Sequence, residues 1–343
     1  MTAQSAPPAP NAPFGSVFAS TMAVAEWANE EWSAARLDPV EPFAMHPATH
    51  VLHYGSACFE GLKAHRGLDG KVRVFRLDAH VRRMQRSAEI LMLPAPPVDM
   101  LTEMVIDVVR ACLDEVPASP GSLYLRPTLV GTVPNIGAAA VPSTTALLYV
   151  LASPVGDYFA GGIRPLKLMI ETQQPRTTPQ FGMVKSGANY VMALGPTMRA
   201  KREVGADQVL FAPDGKIQET GAANFLMIDA GQIITPALSE AFLHGVTRDS
   251  VLALGADLGY HVEQHDSLTV DELLAWSRRD DAEAALSGTA AVLASVGSLV
   301  VDGEDMAVGS GNVGNETLRL RKALTDVHVG AAEDAHGWLT LVE

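Results

Sequence analysis

The sequence lacks the features that mark several classes of protein. Its two cysteines, Cys58 and Cys112, are too few for a disulfide framework. Its longest apolar run, residues 146–152, is far shorter than the roughly 20 residues that cross a bilayer. A net charge of −14 without a basic stripe argues against nucleic-acid binding, and the scattered histidines show no zinc-like spacing. We therefore expect a protein of a reducing compartment, the cytoplasm, with no metal, membrane or nucleic-acid partner.

Composition and length indicate two globular domains. Hydrophobic residues make up 48% of the 343 positions, which excludes a disordered chain and is enough for two cores. Residues 1–13, rich in Pro, Ala and Ser, are predicted to be a disordered lead-in. Residues 14–153 alternate short strands with amphipathic helices and form the predicted small α/β domain. A linker punctuated by Gly and Pro, residues 154–165, precedes the second domain, residues 166–343.

Helix signals can be placed at several points of the chain. Asp78 is typical of the N-cap of a helix that continues to about Met92. Apolar residues at helical spacing predict the next helix over 98–116. A further helix is predicted to follow Lys185 and to end at Gly205.

Lys185 and Glu219 are the residues that best indicate chemistry. Small residues follow Lys185, so a ring could approach its amine, and an amine in a confined site becomes nucleophilic and can form a Schiff base. Glu219 stands after a turn, and Gly221 and two alanines follow it closely. A carboxylate there could keep a pyridine nitrogen protonated, which makes the ring an electron sink. Together these residues predict a pyridoxal-phosphate site.

Two segments could bind the phosphate of such a cofactor, and a third could bind a substrate. The predicted helix start at residues 245–250 offers free N–H groups, and the turn at residues 287–291 offers hydroxyls. Arg82, Arg83 and Arg86 lie on one predicted helix, and composition cannot choose among them. Tyr124 and Arg126 are expected on one face of a strand, where an inward arginine needs a carboxylate.

In combination, these motifs resemble the branched-chain amino acid aminotransferases, which belong to the fold-type IV pyridoxal-phosphate enzymes. The resemblance covers about residues 14–343. Its motifs are His53–Gly55, Phe59–Lys63, Leu123–Pro127, Lys185–Tyr190, Gly205–Asp207, Glu219 with Asn224, Gly245–Asp249, Gly288–Ala291 and Gly337–Leu339. The resemblance implies a two-domain α+β or α/β fold, with a small α/β domain and a larger pseudo-barrel domain that contains Lys185.

The resemblance also implies a role for each site residue. Lys185 is similar to the Schiff-base lysine that also moves the proton, Glu219 to the partner of the pyridine nitrogen, and Tyr190 to the donor to the ring hydroxyl. The positions that match the phosphate site are Arg83, Val246, Thr247 and Thr289. Those that match the family's substrate carboxylate site are Tyr124, Arg126, Thr289 and Ala290, and the apolar pocket corresponds to Tyr54, Phe59 and Tyr158.

The implied reaction moves an amino group between leucine, isoleucine or valine and 2-oxoglutarate by a ping-pong mechanism. The loop 131–138 resembles one that enters the partner's site, so at least a homodimer is expected. The loop Arg176–Met183 departs from the family pattern of Arg-Ala followed by a glycine pair. The alternatives are a D-amino-acid transaminase, an aminodeoxychorismate lyase, or a catalytically silent binding module of the same fold.

Overall fold

The structure is a computed structural model that describes residues 13–158 and 161–342. All but the last residue of the predicted disordered lead-in, 1–13, therefore lie outside the described part. The chain divides into two units. The first contains residues 1–158, 184–187 and 326–343, and the second contains residues 159–183 and 188–325.

The first unit is built on a nine-stranded antiparallel sheet. Its strands are β1 (Thr21–Ala28), β2 (Glu31–Trp32), β3 (Arg36–Pro39), β4 (Ala57–Phe59), β5 (Leu62–Arg66), β6 (Val72–Phe75), β7 (Ser122–Gly131), β8 (Ala146–Val155) and β17 (Leu339–Val342). The main order is β17-β6-β5-β7-β8-β1-β2, with β3 beside β1 and β4 beside β7. Three helices accompany the sheet: α1 (His50–Tyr54), α2 (Leu77–Ile90) and α3 (Val98–Ala111).

Helix α3 buries one stripe of apolar residues in the core of this unit. Leu101, Met104, Val105 and Val108 recur at the spacing that brings side chains to one face of a helix, and all are 1% exposed or less. Val81 and Met84 of α2 belong to the same core as the strands. The burial of these side chains fixes which face of each helix meets the sheet.

The second unit contains a mixed eight-stranded sheet. Its strands are β9 (Leu166–Glu171), β10 (Gln208–Phe211), β11 (Asn224–Ile228), β12 (Gln232–Pro236), β13 (His261–His265), β14 (Glu283–Gly288), β15 (Val292–Val301) and β16 (Glu304–Ala307). The main order is β10-β9-β15-β14-β11-β12-β13, with β16 beside β15. The helices are α4 (Gly187–Val204), α5 (Val246–Asp257), α6 (Val270–Ser277) and α7 (Asn315–His328).

The side chains of β11 and β14 alternate between two environments. Phe225 and Met227 pair with Leu286 and Ala284, and all four belong to the core of the second unit. Asn224 pairs with Ser287 on the opposite face, because successive side chains of a strand point to opposite sides. That second face is the one from which the candidate site of this unit is built.

The prediction that Asp78 caps α2 is wrong. The helix begins at Leu77, and its N-cap is Arg76, whose φ of 52° lies in the left-handed region. Asp78 instead lies in the first turn and pairs with Arg82. Its negative charge there interacts favourably with the positive end of the helix dipole. The following helix also ends earlier than predicted, at Ala111, and a separate 3₁₀ turn occupies residues 113–115.

At the C-terminus, the two units of the structure have other boundaries than the predicted domains. Strand β17 pairs antiparallel with β6, so residues 326–343 return to the first unit instead of completing the second. Residues 184–187, which include Lys185, also belong to the first unit. Local pattern could not reveal this, because hydrophobic periodicity identifies a strand without identifying its partner.

Two buried histidines stack within the first unit. The rings of His65 on β5 and His328 on α7 lie 4.4 Å apart and nearly parallel, with Phe75 against the edge of the second. In the described part of the chain, neither Nε2 atom has a hydrogen-bond partner. Burial lowers the pKa of His328 to about 3 and holds the pKa of His65 well below its usual value. The folded state therefore keeps both rings neutral, whereas the unfolded chain protonates them near pH 6.5.

We expect acid to destabilise the fold through this pair. A folded pKa below the unfolded one means that the contribution to stability is complete above pH 6.5 and is lost as the pH falls towards 3. For His328 alone, the free energy of unfolding should fall by about 2 kcal/mol between pH 7 and pH 5. In urea unfolding at both pH values, His328→Phe should lose about 2 kcal/mol less than wild type on acidification. The exposed His261→Gln is the control. An equal loss for His328→Phe and wild type would contradict the prediction.

Candidate active site

Lys185 is fixed by backbone contacts on two sides within the first unit. The N–H of Phe59 donates to the carbonyl of Lys185 at 3.0 Å, and the N–H of Lys185 donates to Oγ of Ser87 on α2 at 3.1 Å. Its half-buried Nζ lies 5.1 Å from the centroid of the Phe59 ring. The amine is thus held over an aromatic surface instead of ranging freely in solvent.

Tyr124 and Arg126 lie on one face of β7, as predicted. Nη2 of Arg126 donates to the Tyr124 hydroxyl at 2.9 Å, and its guanidinium lies 4.5 Å from the centroid of the Phe59 ring. Nε of Arg126 is buried and has no hydrogen-bond partner among the described residues. A buried donor without a partner is costly, so this position favours a ligand carboxylate. Gly61 is required beside it, because a Cβ there would lie 2.1 Å from the Tyr124 hydroxyl.

The two remaining aromatic residues of the predicted pocket are placed differently. Tyr54 is half-buried, and its hydroxyl donates to the carbonyl of Ile136, in the loop predicted to reach a partner. Tyr158 is 52% exposed and meets the ring of Phe14 at 6.2 Å, while Phe14 contacts Tyr124 edge-on at 4.9 Å. Tyr158 is therefore linked to Tyr124 through an aromatic residue that sequence reasoning did not single out.

Arg83 is bound to a carboxylate that sequence reasoning left without a role. Its Nε donates to Oε1 of Glu60 at 2.7 Å and its Nη2 to Oε2 at 2.8 Å. Nδ1 of His80 lies 2.7 Å from the same Oε2. Burial alone would raise the pKa of Glu60, but the guanidinium of Arg83 and the imidazole of His80 outweigh it and hold the pKa well below its usual value. Glu60 is therefore ionised although it is 1% exposed.

Glu219 occupies a comparable position in the second unit. It is 2% exposed, and its Oε1 accepts from Nη1 of Arg176 at 2.5 Å and from the N–H of Leu243 at 3.0 Å. Its Oε2 accepts from Nδ2 of Asn224 at 3.0 Å. A buried carboxylate needs such donors to remain ionised, and an ionised carboxylate is the group that holds a pyridinium proton.

Arg176 connects Glu219 to the predicted Tyr190. Its Nε donates to the carbonyl of Gly221 at 3.2 Å, and its guanidinium lies 5.5 Å from the centroid of the Tyr190 ring. Arg176 is itself 2% exposed. The sequence gave one indication of Arg176, which is the first residue of the loop that departs from the family pattern. Nothing in the sequence showed that Arg176 pairs with Glu219.

The predicted phosphate segments lie next to the residues that hold Glu219. Val246 and Thr247 occupy the first turn of α5, where backbone N–H groups have no partner within the helix. A Cβ on Gly245 would lie 2.0 Å from Oδ1 of Asn224, so only glycine allows the helix to begin this close. Thr289 and Ala290 form the turn between β14 and β15, directly after Gly288.

The residues present fit pyridoxal phosphate. The first unit supplies an amine held over an aromatic ring, a buried guanidinium and an arginine with an unsatisfied donor. The second unit supplies a buried carboxylate with a cationic partner and a helix start with N–H groups for an anion. The aldehyde, the phosphate and the ring nitrogen of the cofactor therefore each have residues of matching chemistry in the chain.

Comparisons with known proteins show the family of the chain. The profile of the family described as amino-transferase class IV matches residues 57–299. The chain is similar to a probable branched-chain-amino-acid aminotransferase of Streptomyces coelicolor, at 37% identity over 96% of this chain and 92% of the relative. Branched-chain-amino-acid transaminase 1 of Bacillus subtilis is 35% identical, over 95% of this chain and 92% of the relative.

A solved structure extends the similarity to the fold. The T.th. branched-chain amino acid aminotransferase, complexed with N-(5'-phosphopyridoxyl)-L-glutamate, has a TM-score of 0.77 and 29% identity. The match covers 95% of this chain and 100% of that one. The predicted fold class is confirmed.

The chain therefore belongs to the class IV aminotransferases, enzymes that transfer amino groups. Within that class, it belongs to the family of branched-chain amino acid aminotransferases.

We expect Arg176 to act through Glu219. Arg176→Met leaves the buried carboxylate without its cation, so it should take up a proton and no longer hold a charged ring nitrogen. The turnover number should fall by about 100-fold or more, and Arg176→Lys should recover part of it. Arg199→Met, which changes an exposed arginine on α4, is the matched control.

A cofactor analogue with carbon in place of the ring nitrogen separates this role from a structural one. If Arg176 acts through Glu219, wild type and Arg176→Met should have equal turnover with the analogue. A loss that stays as large with the analogue as with the natural cofactor would contradict the assignment.

Proposed function

We propose that this chain transfers the amino group between leucine, isoleucine or valine and 2-oxoglutarate, with pyridoxal phosphate as cofactor. The observation that carries the proposal is the pairing of Phe59 with Arg126, whose buried Nε has no hydrogen-bond partner in the described part of the chain. The aromatic ring suits an aliphatic side chain, and the unsatisfied guanidinium suits the second carboxylate of glutamate. The T.th. relative complexed with a phosphopyridoxyl-glutamate supports the dicarboxylate half of this proposal.

The proposed residue roles follow from the contacts. Bound pyridoxal phosphate supplies an aldehyde and a ring that accepts the electrons released at the α-carbon of the substrate. Lys185 provides the amine that holds the aldehyde and then moves the proton of the α-carbon on its Nζ. Glu219 keeps a proton on the ring nitrogen, and Arg176 keeps Glu219 ionised. Tyr190 is proposed to donate to the ring hydroxyl oxygen.

Phosphate and substrate are proposed to bind through the predicted sets. Arg83, Val246, Thr247 and Thr289 hold the phosphate. Arg126, Tyr124, Thr289 and Ala290 hold the carboxylates, and Tyr54, Phe59 and Tyr158 line the apolar pocket. Both substrates use a single pocket, so the first product must leave before the second substrate binds, which gives two half-reactions with ping-pong kinetics.

Assembly and location are also proposals. Ile136, held through its carbonyl by Tyr54, is 67% exposed at the tip of the 131–138 loop, which supports a homodimer in which this loop meets the partner. Cys58 and Cys112 are both buried and neither is in a disulfide, which suits the proposed reducing cytoplasm. No helix of the described residues is long and apolar enough to span a membrane.

Lys185→Ala should abolish the reaction, because it removes the amine that holds the cofactor and moves the proton. The rate of amino transfer from leucine to 2-oxoglutarate should fall by more than about 10,000-fold. Borohydride reduction should no longer attach the cofactor covalently to the chain. Lys201→Ala, on the exposed side of α4, should behave as wild type in both assays. Near-normal turnover by Lys185→Ala would refute its role.

Arg126→Met should impair the acidic substrate more than the aliphatic one. A charged hydrogen bond contributes about 1.5–3 kcal/mol, so kcat/KM for 2-oxoglutarate should fall by about 10- to 150-fold. The value for 4-methyl-2-oxopentanoate should change much less. Tyr124→Phe, which removes only the hydroxyl beside the guanidinium, should give a smaller loss in the same direction. Equal losses for both oxo acids would assign Arg126 to the carboxylate that they share.

A further inference from the structure

Glu60 is the centre of a buried charged cluster in which only Arg83 has a role in the proposed function. The cluster consists of Glu60, His80 and Arg83, which are 1%, 3% and 6% exposed. Glu60 accepts four hydrogen bonds: two from Arg83, one from His80 and one from the N–H of Gly61 at 3.2 Å. A carboxylate with this many donors is fixed in position and cannot turn towards a ligand.

The same contacts fix the direction of Arg83. A guanidinium is planar, and its Nε and Nη2 edge is occupied by the two hydrogen bonds to Glu60. A second anion therefore cannot bind along the edge of Arg83 that faces Glu60. Glu60 also neutralises the positive charge of Arg83, because a buried guanidinium needs an anion beside it before phosphate binds.

One face of α2 joins this cluster to the reactive lysine. His80, Arg83 and Ser87 recur at i, i+3 and i+7, the spacing of one helical face. His80 and Arg83 bind Glu60, while Ser87 accepts from the N–H of Lys185. Phe59, the neighbour of Glu60, donates to the carbonyl of Lys185. The cluster and the lysine backbone are thus held by the same strand and the same helix.

We propose that Glu60 is a positioning residue that presents Arg83 to the phosphate of the cofactor, and that this preset arginine makes the protein prefer pyridoxal phosphate to pyridoxal. The inference rests on the proposed function through the role of Arg83. His80 supports the arrangement by donating its Nδ1 proton to Glu60. Glu60 touches neither cofactor nor substrate in this scheme and acts only through Arg83.

The test is a pair of binding titrations of the cofactor-free protein, one with pyridoxal phosphate and one with pyridoxal. Glu60→Gln is expected to weaken the affinity for pyridoxal phosphate by about 10- to 100-fold, the value of an interaction with a charged group, and to leave the affinity for pyridoxal unchanged. In an Arg83→Met background, Glu60→Gln should produce no further loss. Asp78→Asn is the matched control, because it breaks an exposed carboxylate–arginine pair on the same helix.

A second variant keeps the test decisive if Glu60→Gln does not fold. His80→Gln leaves the Glu60–Arg83 pair intact but removes one fixed donor, so it should weaken pyridoxal phosphate binding to a smaller extent and spare pyridoxal. The inference is overturned if either folded variant weakens both ligands alike, leaves both unchanged, or strengthens pyridoxal phosphate binding. The last result would make Glu60 a competitor of the phosphate.

The same titrations separate this inference from the proposed function. Wild-type protein that bound neither ligand would refute the cofactor itself. An unchanged preference for pyridoxal phosphate in Arg83→Met would refute the phosphate role of Arg83. A preference that depends on Arg83 but not on Glu60 would refute only the positioning role.

Discussion

A carboxylate that must stay ionised while almost fully buried is the constraint on which this protein depends. Water cannot stabilise Glu219, which is 2% exposed, so the protein must supply the donors itself. It does so with Arg176, Asn224 and the N–H of Leu243. Each donor comes from a different part of the second unit: Arg176 and Leu243 from two loops and Asn224 from strand β11. The fold must therefore bring these three segments together around one charge.

The first unit solves the same problem with Glu60, but the consequence differs. At Glu219 the arginine supports the carboxylate, which in the proposed function is the group that acts. At Glu60 the carboxylate supports the arginine, which in the proposed scheme is the group that acts. Both pairs are nearly inaccessible to solvent, so neither is a surface ion pair of little energetic value. Removing one partner leaves the other without its counter-charge, so that it must either stay charged at a high cost or change its protonation state.

The sequence singled out the residues with proposed chemical roles more readily than the residues that contact them. Lys185, Glu219 and the Tyr124–Arg126 pair have local signals: small neighbours, a turn, and strand alternation. Glu60 stands in one motif and Arg176 at the start of a divergent loop, but neither signal reveals a partner, because the partners are 23 and 43 positions away in the chain and the pairing exists only after folding. The return of β17 to the first sheet escaped prediction for the same reason, since periodicity does not name the partner of a strand.

In the proposed function, the single side chain of Phe59 serves two kinds of substrate. Its ring lies 4.5 Å from the guanidinium of Arg126 and 5.1 Å from the amine of Lys185, so it contacts two cations at once. An aliphatic substrate side chain gains by covering the ring but leaves Nε of Arg126 without a partner. An acidic side chain satisfies that donor but covers less apolar surface. Because each substrate meets one requirement and leaves the other unmet, neither holds a decisive advantage, and the site can accept both in turn.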